Sequence, residues 1–209
     1  MADLIVPKIT ETVNPRDVIC TTYQMRNPFF QLRDACASEL DEMCYWMHAF
    51  AADLVPKNGS VLDVCCGRGL LIPFVRYRAD ALRAYCGVDI HRQNAKVWIE
   101  GNDVRRGQKT PKDWGFPTVF AESNVATMTK PVQKAMAVAG LADIPPFDTI
   151  VYTSAIEHMQ PEDQKASLAC CRELSHKDTT FYLTFPCTPA GKDGYSTQYA
   201  AHVYEPTER

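Results

Sequence analysis

The residues best suited to chemistry fall in one short run. Val61-Leu62-Asp63-Val64-Cys65 leads into Cys66-Gly67-Arg68-Gly69, and a helical stretch follows. Glycine is needed where a backbone turns sharply and meets a ligand with no side chain intervening. The helix N-terminus behind such a loop offers free N–H groups and positive potential, which suits a carboxylate or another anion. A second apolar run, Gly87-Val88-Asp89-Ile90, sets Asp89 about 20 residues beyond Gly69, where a carboxylate can accept two hydrogen bonds from a ribose diol. The set fits a nucleoside-type cofactor. A nicotinamide dinucleotide fits less well, because its fingerprint needs a third glycine where Ile72 stands and has no use for Asp63. Asp63 instead suits a cationic group such as a methionine ammonium, met directly or through water.

These residues need a sheet to hold them, and the hydrophobic pattern supplies one. Apolar runs predict strands over Ser60–Cys65, Ala84–Ile90, Pro117–Ala121, Phe147–Thr153 and Thr179–Phe185. Between and after them, helices are predicted over Gly69–Arg78, Arg92–Asn102, Lys130–Ala139 and Pro161–Leu174. Continuous apolar runs such as Thr149-Ile150-Val151-Tyr152 fit strands buried on both faces, as in a parallel sheet. The alternation argues for a doubly wound α/β domain over residues 58–209. Residues 1–57 read as an N-terminal extension. Asn27 and Pro28 open a long helix there, which runs to Val55 before Pro56. Its apolar stripe of Phe29, Leu32, Cys36, Leu40, Met43, Met47, Phe50 and Leu54 is expected to be the core-facing side. The basic segment Arg105–Trp114 reads as a solvated loop, with a substrate-facing loop as the other reading.

With the motifs in place, the chain resembles the class I S-adenosylmethionine-dependent methyltransferases over about residues 58–186. Their first motif, Val-Leu-Asp-x-Gly-x-Gly-x-Gly, is matched by VLDVCCGRG, with Cys65 standing where the first glycine would be. A small side chain is expected to be tolerated there on a negative φ. The resemblance implies a Rossmann-like sheet ordered 3-2-1-4-5, with the methionine part of S-adenosyl-L-methionine on Asp63, Cys65, Gly67 and Gly69. It also implies ribose on Asp89 and Ile90, and adenine on Asn124 with the Val125 backbone, Glu122 being the competing acidic choice. The segment Phe147–His158 resembles the family's motif at the end of strand four, where the cofactor's methyl faces its acceptor. Thr153 is expected on the cofactor side, and Glu157 and His158 on the catalytic side.

His202-Val203-Tyr204-Glu205 resembles a segment that follows strand five in several methyltransferases, among them the small-RNA 3′-terminal 2′-O-methyltransferases. In those, a metal is held by two glutamates, the histidine after the second, and a later histidine. Glu157, His158 and His202 match, but Ser154 stands at the first glutamate position. No metal site is therefore assigned, and a divalent metal stays open without being favoured. Phage-type and bacterial methyltransferases of unassigned substrate are the nearer resemblance. His202 is expected to converge with Glu157 and His158 on the accepting side.

Composition sets the outer limits. Of 209 residues, 46% are hydrophobic and 22% charged, which is enough for one buried core. A formal charge of −3 demands neither nucleic acid nor an anionic membrane. Nine cysteines without a CxxC pair read as reduced structural thiols, which favours the cytoplasm. Neither a signal peptide nor an 18-residue apolar run is found, so no membrane association is expected. The family's C-terminal hairpin is expected to be absent, because Pro186, Pro189, Gly191, Gly194 and Pro206 break the closing segment. A partner chain or a missing C-terminal segment would then cover the strand-five edge. The methyl acceptor is open, with a small molecule or nucleotide favoured over nucleic acid. A non-catalytic methyltransferase-fold subunit and a nicotinamide-dependent oxidoreductase are the alternatives.

Overall fold

The computed structural model describes residues 47–78, 82–99, 102–103, 108–109 and 114–184. Within them α1 (47–53) is followed by β1 (Ser60–Val64), α2 (Leu71–Arg78), β2 (Ala84–Asp89) and α3 (Arg92–Ile99). Then come β3 (Asn102–Asp103), β4 (Gln108–Lys109), β5 (Thr118–Glu122), α4 (Thr129–Val138), β6 (Phe147–Thr153), α5 (Pro161–Glu173) and β7 (Ser175–Thr184). Five strands form one sheet in the order β5-β2-β1-β6-β7, and every pairing in it is parallel. Counted along the sheet's own strands this is 3-2-1-4-5, as expected. β3 and β4 add a short antiparallel pair at the insertion before Trp114, which the sequence did not predict.

Successive residues of a strand point to opposite faces, and here both faces are covered. Val61, Tyr85 and Val151 meet α1, α2 and α3 through Ala49, Ala52, Phe74, Val75 and Ala95. Leu62, Val88 and Ile150 meet α4 and α5 through Val132, Met136 and Cys171. Burial on both faces explains why β1 reads as a continuous apolar run broken only by Asp63. β7 is the outermost strand on its side among the described residues, and none of its residues is fully buried.

The amino ends of β1, β6 and β7 are fastened by polar contacts. Asp148 Oδ2 accepts from the Ser60 amide at 2.7 Å, from Ser60 Oγ at 2.9 Å and from the Arg83 guanidinium at 3.1 Å. Its Oδ1 lies 3.1 Å from His176 Nε2. Burial alone would raise the Asp148 pKa, but the Ser60 donors, His176 and Arg83 outweigh it and hold the carboxyl below its ordinary value.

The helix stripe is one expectation that the structure corrects. In α1 the side facing the core carries Ala49, Ala51 and Ala52, while Phe50 is 40% and Leu54 is 42% exposed. Those alanines pack in one core with Phe74 of α2 and Tyr85 of β2, so the small-residue side of the helix, not the bulkier stripe, is the buried one. The remainder of the long helix, with Cys36 and Cys44, lies outside the described residues, as do Phe185–Arg209. Among the described residues, no helix is long and apolar enough to cross a membrane.

Candidate functional site

Chain direction sets the working end: all five strands of the sheet point their carboxyl ends the same way, and ligands of open α/β sheets sit outside those ends. β1 stops at Val64 and the chain turns abruptly. Cys65 takes φ 58°, Gly67 φ 49° and Gly69 φ 69°. The Cys66 amide then donates to the Val88 carbonyl at 2.9 Å, and the Gly69 amide to the Cys66 carbonyl at 2.9 Å. That crossing to β2 forces Cys65 into the left-handed region, against the expectation of a negative φ. Such a position favours glycine and is sparsely populated by residues with a Cβ.

Asp89 closes the loop onto β2. Its Oδ2 accepts from the Gly67 amide at 3.0 Å and its Oδ1 from the His91 amide at 2.8 Å. Each carboxylate oxygen keeps a further lone pair for a ligand hydroxyl. A cleft of about 490 Å³ opens beside it, lined by Cys65, Asp89, Ile90, Asn124, Val125 and His158, together with Ser123, Ala155, Met159 and others. This volume lies within the range of roughly 300–1,000 Å³ usual for small-molecule sites.

Six of the site residues expected from sequence are thus gathered on one cleft. Asn124 caps the 3₁₀ turn Val125–Thr127, its side-chain oxygen accepting from the Ala126 amide at 2.9 Å, so one of its lone pairs is already engaged. Glu122, the competitor, is exposed and lies 4.0 Å from the Arg92 guanidinium.

Asp63, Gly67, Gly69, Thr153 and Glu157 do not line the cleft. Asp63 is 3% exposed and accepts a hydrogen bond from the Tyr85 hydroxyl. Burial pushes its pKa up to about 7, the Tyr85 hydroxyl opposes the rise, and the nearby Asp89 charge adds to it. Tyr85 was not singled out from sequence. Its signal is the two-residue step to Gly87, which pairs with Asp63 and puts both side chains on one face.

After β6, Ser154 takes φ 44°, its amide donating to the Thr184 carbonyl at 2.9 Å and its hydroxyl contacting Met47 Sδ at 3.4 Å. The following turn Ile156–His158 separates two neighbours: Glu157 is 1% exposed, whereas His158 is exposed on the cleft. His202 lies outside the described residues. No group of three or more His, Cys, Asp or Glu among the described residues is placed to hold a metal ion.

Sequence reasoning also passed over Tyr152. Its hydroxyl hydrogen-bonds Met159 Sδ at 3.1 Å and Ser167 Oγ at 3.4 Å, and Tyr152 neighbours Cys65. Burial pushes the Cys65 thiol up to about 12; Tyr152 works against that, while Asp89, Asp63 and Glu157 add to it. Cys65 is therefore a neutral thiol, not a nucleophile.

Residues 37–205 match a family model described as a methyltransferase domain. Coclaurine N-methyltransferase bound to N-methylheliamine and S-adenosylhomocysteine is similar in fold, at 18% identity over 81% of this chain and 48% of that one, with a TM-score of 0.52. The [4+2]-cyclase SpnF is similar at 12% identity over 79% of this chain and 54% of that one, also with a TM-score of 0.52. This chain spans about half the length of either structure. No curated protein matches the sequence.

Proposed function

Given that the chain belongs to the methyltransferase domain family, we propose that it carries a methyl group from S-adenosyl-L-methionine to an oxygen or nitrogen nucleophile. The acceptor class we favour is a small molecule or nucleotide, with nucleic acid next. The observation that carries this reading is the single cleft joining Asp89, Asn124 and Val125 to Cys65 and His158 at the strands' carboxyl ends.

The residues fit that cofactor. Asp89 keeps lone pairs for the ribose diol after fixing the Gly67 and His91 amides. Ile90 and Val125 offer apolar surface to the base, and Asn124 has a second lone pair for an exocyclic amine. The helix N-terminus of α2, behind the Gly67–Gly69 loop, suits the amino-acid carboxylate. Asp63, ionised by a neighbouring ammonium, would hold the amino group directly or through water. When bound, the cofactor supplies an electrophilic methyl on a sulfonium, and what the protein adds is position. His158, exposed on the cleft beyond β6, takes the acceptor's proton. Glu157 and His202 complete the accepting side in this proposal, with Glu157 setting the turn from within, and Thr153 stands on the cofactor side.

The division into an extension of residues 1–57 and a cofactor domain of 58–209 belongs to the same proposal. It is supported by Pro56 and the turn at Gly59, although Ala49, Ala51 and Ala52 share one core with α2. The fold alone does not dictate methyl transfer, since SpnF is a [4+2]-cyclase. A tritiated-methyl transfer assay over RNA, DNA, protein and metabolite fractions tests the activity. Labelled product in one fraction, lost in His158→Ala, is expected. Tight S-adenosylhomocysteine binding with no labelled fraction would instead favour a non-catalytic subunit.

A further inference from the structure

We propose that Cys65 faces the cofactor's sulfonium and sets the size of the S-alkyl group that the cleft admits. This rests on the cofactor reading above and adds a specificity-determining side chain to it.

The order of the sheet locates it. β1 lies between β2 and β6, and β5 lies beyond β2. Asp89 ends β2, Ser123–Val125 follow β5, and Ala155–Met159 follow β6. A nucleoside with its ribose on Asp89 and its base over Asn124 and Val125 must send its 5′ substituent away from β5, towards the end of β1. The cleft-lining residue at that end is Cys65. In an adenosyl sulfonium the first atom beyond the 5′ carbon is sulfur. Cys65 therefore meets the sulfur and the groups it carries.

Two observations show a side chain held in place there. Cys65 stands at φ 58°, which glycine would adopt freely and a residue with a Cβ resists. Its Cβ and Sγ fill space that glycine would leave open. Tyr152, the thiol's neighbour, is fully buried and hydrogen-bonded. Its hydroxyl contacts Met159 Sδ at 3.1 Å, and Met159 lines the cleft as well. Met159 is thereby fixed by a buried phenol that also neighbours Cys65, and the backbone turn fixes Cys65 itself. A wall that cannot swing aside discriminates by size.

Calorimetric titration of the whole chain with S-adenosyl-L-methionine and with S-adenosyl-L-ethionine tests this, since the two differ by one methylene on sulfur. The ethyl compound should bind the native chain at least tenfold more weakly, because one methylene in a close-fitting pocket discriminates by roughly 10- to 200-fold. Cys65→Gly should bring the two affinities to within about threefold of each other. Cys65→Ser, which keeps the size, should retain the native ratio, and Cys65→Ala should fall between them. Thermal unfolding of each variant checks the fold, and Cys65→Ala decides if Cys65→Gly does not fold. A folded small-residue variant with the native ratio overturns the inference, as does a native chain that binds both compounds equally. Binding of neither compound overturns the cofactor reading, and this inference with it.

Discussion

Replacing Asp89 by alanine separates a ribose-binding role from a loop-fastening one. The carboxylate accepts from two backbone amides, those of Gly67 at 3.0 Å and His91 at 2.8 Å. Removing it leaves both N–H groups beside the cleft, where water reaches them in part, so the stability loss should be about 2–4 kcal/mol. If the remaining lone pairs take the ribose diol, two charge-assisted hydrogen bonds are lost as well. S-adenosylhomocysteine should then bind at least tenfold more weakly, which is about 1.4 kcal/mol. The two effects are told apart by a cycle with the 2′-deoxy analogue of S-adenosylhomocysteine, measured by calorimetry at 25 °C. On the native chain the missing hydroxyl should weaken binding several-fold. On Asp89→Ala it should make almost no difference, because its partner is gone. Equal losses on both proteins would show that Asp89 only fastens the loop. Unchanged affinity in a folded Asp89→Ala would sink the ribose assignment altogether.

Three further outcomes follow from the same geometry. The Asp63 pKa is raised in the fold to about 7 from 3.8, so its stabilising contribution is fully present below the unfolded value and is lost as pH rises through 7. Melting temperature should accordingly fall between pH 5 and pH 8 in the native chain and fall less in Asp63→Asn; parallel curves would refute this. Asp148 titrates in the opposite sense, its folded pKa being lowered, so the contribution is present above the unfolded value and lost as pH falls through the folded one. Asp148→Ala should cost about 2–3 kcal/mol near neutrality and progressively less as pH falls below the ordinary carboxylate value, as read by denaturant unfolding. At Gly59 a Cβ would stand 2.7 Å from Pro56 Cγ and 2.8 Å from its carbonyl oxygen, so Gly59→Ala should cost about 1–3 kcal/mol. Gly140→Ala is the control: at φ 77° in open space it should cost only about 1 kcal/mol, and a larger effect at Gly140 would contradict the steric argument.

The sheet was legible because burial on both faces leaves continuous apolar runs, and those runs marked all five of its strands to within a few residues. The glycine loop and Asp89 were legible because their roles depend on backbone freedom and on spacing, both written in the chain. What escaped notice depends on packing across the sheet. Tyr85 and Tyr152 read as ordinary apolar positions, and only the folded chain shows that their hydroxyls reach Asp63 and Met159. The handedness at Cys65 escaped for a related reason: it follows from the Cys66 amide reaching Val88, a contact between strands. The α1 stripe misled because periodicity finds an apolar side without showing which side the sheet can approach. In this helix, small residues won over large ones.

The clasp of Ser60, Arg83, Asp148 and His176 lies at the opposite end of the sheet from the cleft, where Cys65 and Ser154 stand in disfavoured backbone conformations. Rigidity and strain are thereby segregated by about the length of one strand. Amides near the clasp should exchange with solvent only on global unfolding, while those of Cys65–Gly69 should exchange through smaller local openings. For an evolving chain that separation matters. Substitutions around the cleft can alter which molecules are accepted while leaving the closure of the sheet intact, and substitutions at the clasp shift how many copies are folded without redrawing what a folded copy recognises.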